Sequence, residues 1–432
     1  MIRVDAAQLD LREWLRPGDA IVIGQGTAEP LTLTEALVAQ RHDLGGVRPV
    51  LFAMFSDTFH PDRVDGLRLR GIGGVGSNRR LIQAGVMEVL PCHVSRINEY
   101  LRSGEIPCDV ALVQVSPPDA QGRFRLALAA DCTRTAVDRA RVVIAEMNHR
   151  VPQANCDGAL SADDIDVLVE SDRAPIQLPA APIGELERQI ARHVDPFVPD
   201  RATLQVGFGS IPEAIIAMLS NRRDLGMHSG MVGDSLVDLV ECGAVTNAFK
   251  ERHAGISITG VLFALPEGTT VWLGTDHKLY RWAHRNPALR VCSIDTTHEP
   301  ALLSSMQRYV SINSALEVDL TGQVNAESVG GDYIGAVGGQ VDFVRAAGRS
   351  PGGASIIALP SSAKRGSVSK VVARLGGPVT TARSDVDIVA TEHGAVRLRA
   401  LSLRERARAM IGLAAPQHRE ALEREAHAMG LV

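Results

Sequence analysis

Pro17-Gly18-Asp19-Ala20-Ile21-Val22-Ile23-Gly24-Gln25-Gly26-Thr27-Ala28-Glu29-Pro30 decides the fold class of this 432-residue chain. A Pro-Gly-Asp turn leads into a short apolar run with β-branched residues, then into glycines and an amphipathic stretch beyond Pro30. That order describes a buried strand, a loop and a helix. It recurs at Pro199-Asp200-Arg201, where Thr203–Val206 runs into Gly207-Phe208-Gly209-Ser210-Ile211-Pro212 and a second amphipathic stretch. Each half also carries a strand read as ending in glutamate, Ala145-Glu146 and Thr391-Glu392. The repetition predicts two related open α/β domains with a site in the cleft between them.

Working outward, further apolar runs alternate with amphipathic stretches. Ala111–Val115, Arg141–Ala145, Ser355–Leu359 and Val386–Ala390 read as strands of parallel sheets. Pro175, Pro179 and Pro182 mark a linker over 174–182, followed by a helix over Gly184–His193. The expected boundary lies near residue 180, giving domains over 1–180 and 181–432. Ser402-Leu403-Arg404-Glu405 is a capping box, and Pro416 suits the first turn of a last helix that stops at Gly430.

Composition narrows the functional classes. A chain of 432 residues exceeds one ordinary core. Aromatics at 4% argue against stacking platforms for single-stranded nucleic acid. A net charge of −5 provides no basic field for nucleic acid or anionic lipid. The start, Met1 to Asp5, lacks an apolar signal core, and no apolar run approaches the ~20 residues of a membrane span. Cys92, Cys108, Cys132, Cys156, Cys242 and Cys292 form no C-x-x-C pair, so reduced, mostly buried thiols in a cytoplasmic protein are expected.

Two glycine loops carry most of the chemical signal. Gly207-x-Gly209-Ser210-x-Pro212 lies between a strand and a helix, where backbone amides can approach an anion. Gly335-Ala336-Val337-Gly338-Gly339-Gln340 can present amides to a developing oxyanion. A tight capped turn and a plain connection are their structural alternatives. Gly71-Ile72-Gly73-Gly74-Val75-Gly76 matches a dinucleotide fingerprint in letters, but no buried strand is expected before it and no acid follows at the right distance. Arg79 and Arg80 beside it could meet a phosphate. The histidines show no metal-ligand spacing, so no metal is expected. His228-Ser229 lacks a nucleophile elbow and reads as a turn. Asp163-Asp164 and Glu423–Glu425 read as solvated faces.

Three blocks together resemble the class I coenzyme A-transferase / acetyl-CoA hydrolase family, in its 4-hydroxybutyrate CoA-transferase-like branch. They are Val310–Glu327, then Val337–Arg345 continuing to Ile357–Lys364, and Thr391–Gly394 with Leu398-Arg399 and Ser402–Ala407. The resemblance implies ping-pong transfer of coenzyme A between an acyl-CoA and a small carboxylate, of the acetate, succinate, 4-hydroxybutyrate or itaconate class, usually in a homodimer. A glutamate attacks the thioester, and the resulting anhydride becomes a glutamyl-CoA thioester. It implies an oxyanion and coenzyme A-binding set of Gly207, Gly209, Val337, Gly338, Gly339, Gln340 and Lys364, with Glu392 in support.

The chain departs from the family pattern where the nucleophile is expected. Gly226-Met227-His228-Ser229-Gly230-Met231 places Gly230 at the glutamate's position. Ala336 stands for a glycine, and His298 for an asparagine. Three readings stay open: another carboxylate serves, Glu327 first and Glu29 second; acids and thioesters react directly, with acyl-CoA hydrolysis as the alternative activity; or the protein binds CoA thioesters without turnover. Glu29 and His298 are expected on the substrate side.

Overall fold

The computed structural model describes residues 1–178, 183–207, 209–264 and 278–432. The expected boundary near 180, with Pro179 and Pro182, lies outside the described residues, as does Phe208 of the first glycine loop.

The N-terminal sheet comprises β1 (Ile2–Val4), β2 (Ala20–Ile23), β3 (Arg48–Leu51), β4 (Leu69–Gly71), β5 (Met87–Val89), β6 (Val110–Val115), β7 (Val142–Asn148) and β8 (Val167–Ser171). All run parallel, in the order β1-β8-β7-β6-β2-β3-β4-β5. β6 and β7 are buried along their whole length, which suits their continuous apolar sequences and a sheet covered on both faces.

The C-terminal half repeats this plan. It holds β9 (Thr203–Val206), β10 (Gly226–Met227), β11 (Ser257–Thr259), β12 (Leu289–Val291), β13 (Tyr309–Asn313), β14 (Ala354–Ala358), β15 (Ile388–Thr391) and β16 (Gly394–Arg397). Six pair in the order β10-β9-β13-β14-β15-β16. A parallel bridge from His228 to Ile258 carries the row on to β11, which pairs with β12. Only β16 runs antiparallel to its neighbour within this row. Taken strand by strand, β2 to β8 correspond to β9 to β15 in order and connection. In each sheet the order reverses beside the first strand of the unit: β2 lies between β3 and β6, and β9 between β10 and β13. Such a switch point opens a crevice at the carboxyl ends of the strands.

One expected likeness fails. Glu146 lies within β7, whose counterpart is β14, whereas Glu392 follows β15, the counterpart of β8. The two glutamates nevertheless make a related tie. Glu146 accepts a hydrogen bond from Ser171 at the end of β8 (2.6 Å), and Glu392 accepts one from Ser361 beyond β14 (2.6 Å). Corresponding neighbour strands are joined with carboxylate and serine exchanged.

The halves share one apolar core that runs from Val22 and Val113 to Leu204, Ile312 and Ile388. A second cluster belongs to the first half and a third to the second. Between the halves, Thr27 Oγ1 donates to Leu262 O (2.6 Å) and Ser95 Oγ to Asp342 Oδ1 (2.7 Å). The Gly71–Gly76 run is part of this seam. Contrary to expectation β4 does precede it, and a helix at Asn78–Gln83 follows. Its glycines allow close approach: Gly74 N–H donates to Gly335 O (2.7 Å), and a Cβ on Gly73 would come within 2.6 Å of Gly335 O. Arg80 pairs with Asp57.

The helix after the linker runs over Glu185–Val194, and the last two over Leu403–Leu413 and Pro416–Ala428. Ser402 and Glu405 form the expected capping box. Asp164 departs from a solvated face, pairing with Arg134 (2.9 Å). Among the described residues, no helix is long and apolar enough to cross a membrane.

Candidate active site

The carboxyl ends of the two strand rows meet across a cleft of about 1240 Å³, its open mouth included. From the first half come Gln25 after β2, Ala53 after β3 and Ile72 after β4. From the second come Gly207 after β9, Gly230 beyond β10, Gly260 after β11, His298 beyond β12 and Ser314 beyond β13. Val337, Gly338, Gly339 and Gln340 complete the wall. The structure therefore gathers Gly207, Gly230, His298 and the second glycine loop. Gly209 lines an adjoining apolar cavity that shares Val206, Gly207, Met231 and Phe263 with the cleft. Gly207 and Gly339 thus line one cleft, and Gly209 lines the cavity beside it.

The second loop is built to receive negative charge. Gly339 caps the helix Gln340–Arg349, and no side chain caps it. The N–H groups of Gly339, Gln340 and Val341 have no hydrogen-bond partner among the described residues. Unpaired first-turn amides with the helix dipole behind them hold an anion or a developing oxyanion. Gln340 is fixed by its own side chain, donating to Ser314 O (2.8 Å) and accepting from Thr381 Oγ1 (2.9 Å).

Gly230 and His298 form a packed pair. An ideal Cβ on Gly230 would lie 2.7 Å from His298 Cε1, 3.0 Å from Nε2 and 3.4 Å from Phe343 Cζ. One on Gly339 would lie 2.5 Å from the same Nε2. The imidazole thus fills the space into which any side chain at 230 would project, and it leans on the Phe343 ring at 4.5 Å between centroids. Burial pushes His298 down to about 3, so its ring is neutral near pH 7.

The proposed carboxylates stand elsewhere. Ala326 lines the cleft, but Glu327 is turned to Thr380 Oγ1 (2.7 Å) and Tyr333 OH (2.6 Å), one donor on each oxygen. Glu29 is fully buried at the foot of the helix Leu31–Ala39, accepting from Ser56 (2.8 Å) and Thr34 (3.0 Å). Burial raises it to about 7. It does not belong to the cleft wall, which corrects its substrate-side placement. Glu392 accepts from both N–H and hydroxyl of Ser361 and orients the turn after β14. Lys364 is exposed on the hairpin beyond that turn, away from the cleft lining.

A carboxylate that the sequence reading passed over does line the cleft. Asp131 is buried, its Oδ1 accepting from Cys132 N, Thr133 N (3.1 Å) and Thr133 Oγ1 (2.9 Å), and its Oδ2 from Gln25. Desolvation raises it above the usual carboxylate range. Its signal was available as the single charge in Leu126-Ala127-Leu128-Ala129-Ala130-Asp131-Cys132. Ser229, by contrast, is buried and bonded to Val206, a structural role. No cluster of three metal-ligating side chains occurs among the described residues.

Residues 7–178 match the acetyl-CoA hydrolase/transferase N-terminal domain, and residues 274–426 match the C-terminal domain of the same family. The chain belongs to the acetyl-CoA hydrolase/transferase family. It is 36% identical to the 4-hydroxybutyrate coenzyme A transferase of Clostridium kluyveri, over 94% of this chain and 93% of that protein. It is 33% identical to the succinyl-CoA:acetate/propanoyl-CoA:succinate CoA transferase of Fasciola hepatica, over 96% and 85%. The crystal structure of RipA from Yersinia pestis superposes with a TM-score of 0.91 at 30% identity, covering 100% of this chain and 98% of that one. The α/β fold and full-length likeness expected of this acetyl-CoA hydrolase/transferase family member are thereby established.

Proposed function

We propose that this chain transfers coenzyme A between an acyl-CoA thioester and a small carboxylate of the acetate, succinate, 4-hydroxybutyrate or itaconate class. One observation carries the reading: Gly339 and Gln340, whose amides are unpaired among the described residues, line a cleft formed where two switch points meet. Transfer needs a place for an acyl oxyanion beside a place for a second acid, and this cleft supplies amide donors between two facing loop sets. The full-length likeness to named CoA transferases supports it.

Hydrolysis of acyl-CoA is the second reading. It is favoured by the absence of a carboxylate at Gly230 and by the placement of Glu327 against Thr380 and Tyr333. A panel of acyl-CoA donors against mono- and dicarboxylate acceptors, followed by mass, separates the outcomes. Thioester exchange supports transfer, water-dependent release of CoA supports hydrolysis, and binding without turnover makes the protein a thioester binder. A homodimer in the cytoplasm with a domain division near residue 180 belongs to the same proposal. Light scattering and limited proteolysis between Leu178 and Gly184 test the dimer and the division.

A further inference from the structure

The pairing of Gly230 with His298 has a chemical meaning beyond packing. Thr297 Oγ1 lies 2.9 Å from His298 Nδ1 and 3.4 Å from Ser293 O. With the hydroxyl donating to that carbonyl, its oxygen accepts Nδ1–H. That tautomer leaves a lone pair on Nε2. Nε2 has no hydrogen-bond partner among the described residues and is not sealed from the cleft that His298 lines. It stands 3.0 Å from where a Cβ on Gly230 would be, and beside Gly339, whose N–H is unpaired. A nucleophile and an oxyanion donor therefore share one wall, in the space a glutamate at 230 would occupy.

We propose that His298 Nε2 is the covalent nucleophile of this cleft, accepting the acyl group itself where a glutamate would accept coenzyme A. The inference rests on the acyl-CoA reading above. Nε2 attacks the thioester carbonyl, a C–N bond forms, the C–S bond breaks and the CoA thiolate leaves. The acyl-imidazolium keeps its Nδ1 proton in the hydrogen bond to Thr297 Oγ1, with the thiolate as its counter-charge. An acceptor carboxylate attacks the acyl carbon, giving a mixed anhydride and returning the electron pair to Nε2. The imidazole is neutral again, and the thiolate attacks the acceptor's carbonyl carbon. The C–O bond breaks and the donor acid departs as carboxylate. Atoms and charge balance without any further reactant. A ring kept neutral by burial holds its lone pair ready at neutral pH.

The test uses full-length protein with acetyl-CoA or succinyl-CoA and a carboxylate acceptor. Acid-quenched wild type is mapped by peptide mass, and turnover is compared with His298→Gln and His298→Asn, both checked for thermal unfolding and CoA binding. The expected result is one acyl group, without CoA, on the peptide containing His298. Turnover should fall at least ~100-fold in both variants while CoA binding survives. Covalent CoA on a carboxylate such as Asp131 or Glu327 would overturn the proposal. So would unchanged turnover in His298→Gln, or a dead variant with no acyl adduct at any quench time in wild type. Failure of wild type to bind or consume either thioester removes the acyl-CoA reading itself.

Discussion

The loops after β2 and β9 begin alike and end differently. After β2, Gly26–Ala28 winds into a short 3-10 turn that buries Glu29, and only Gln25 of this segment reaches the cleft. After β9, the chain passes through Gly207 and Gly209 straight into a helix that starts at Ser210 without a side-chain cap, opening onto two cavities. Gly209 takes φ = 121°, a backbone region that favours glycine. The same strand plan thus yields a supporting wall in one half and a mouth opening onto two cavities in the other. A duplicated scaffold keeps its core while its strand-end loops diverge, because loops carry function and strands carry packing.

The largest way to break this comparison is Gly339→Val. Its added carbons collide with His298 Nε2 and Phe343 and close the amide-lined wall. Turnover should fall by ~100-fold or more while far-UV circular dichroism is retained. Gly24→Ala, whose Cβ would meet Ala28 O at 2.7 Å in the supporting half, should lower stability instead and leave the KM near wild type. The reverse pattern would dissolve the division of labour.

The next effect concerns buried charge in the supporting half. Glu29 is raised by burial from 4.5 to about 7, so the folded state binds its proton more tightly than the unfolded chain. Stability is then highest below pH ~4.5 for this group and declines as pH climbs to ~7, by as much as ~3 kcal/mol. Urea titrations at pH 5 and pH 8 should show this decline, and Glu29→Gln should flatten it. A wild type equally stable at both values, other groups being matched by the variant, contradicts the buried, weakly paired carboxylate.

A smaller test sharpens the likeness between halves. Glu146→Gln and Glu392→Gln each weaken a carboxylate–serine tie between neighbouring strands. Each should cost ~1–3 kcal/mol in urea unfolding without a specific loss of turnover. If Glu392→Gln alone stops turnover, that residue acts in the cleft and the two ties are unlike. The smallest effect is at the seam: Ser95→Ala removes one donor to Asp342 and should cost ~1 kcal/mol, still in a single transition because one core spans both halves. Two separate transitions would show the halves unfolding independently.

Strands were legible to within three residues. Thr203–Val206 and Ala20–Ile23 match the expected limits, and Val386–Ala390 shifts to Ile388–Thr391. The C-terminal capping box was readable because its partners are three residues apart. The Gly71–Gly76 run was misleading, since the three residues of β4 are too short to announce a strand. Gly73 and Gly74 answer to Tyr333, Gly335 and Ala336, more than 250 residues away.

By itself, the sequence determined the parallel α/β class, the two-fold repetition and the family, because local periodicity, turn chemistry and ordered motifs act over short stretches of chain. Gly230 and the second glycine loop were also singled out from letters alone. What only the tertiary structure decided was which of the candidates meet. Glu327 and Glu29 are held by nearby hydroxyls, whereas Asp131, in an apolar run, is carried into the cleft. His298 comes to fill the space beside Gly230, 68 positions earlier. Such meetings depend on strand order and on the closing of two sheets against each other. A side chain's neighbours across that closure leave no trace in its own stretch of sequence.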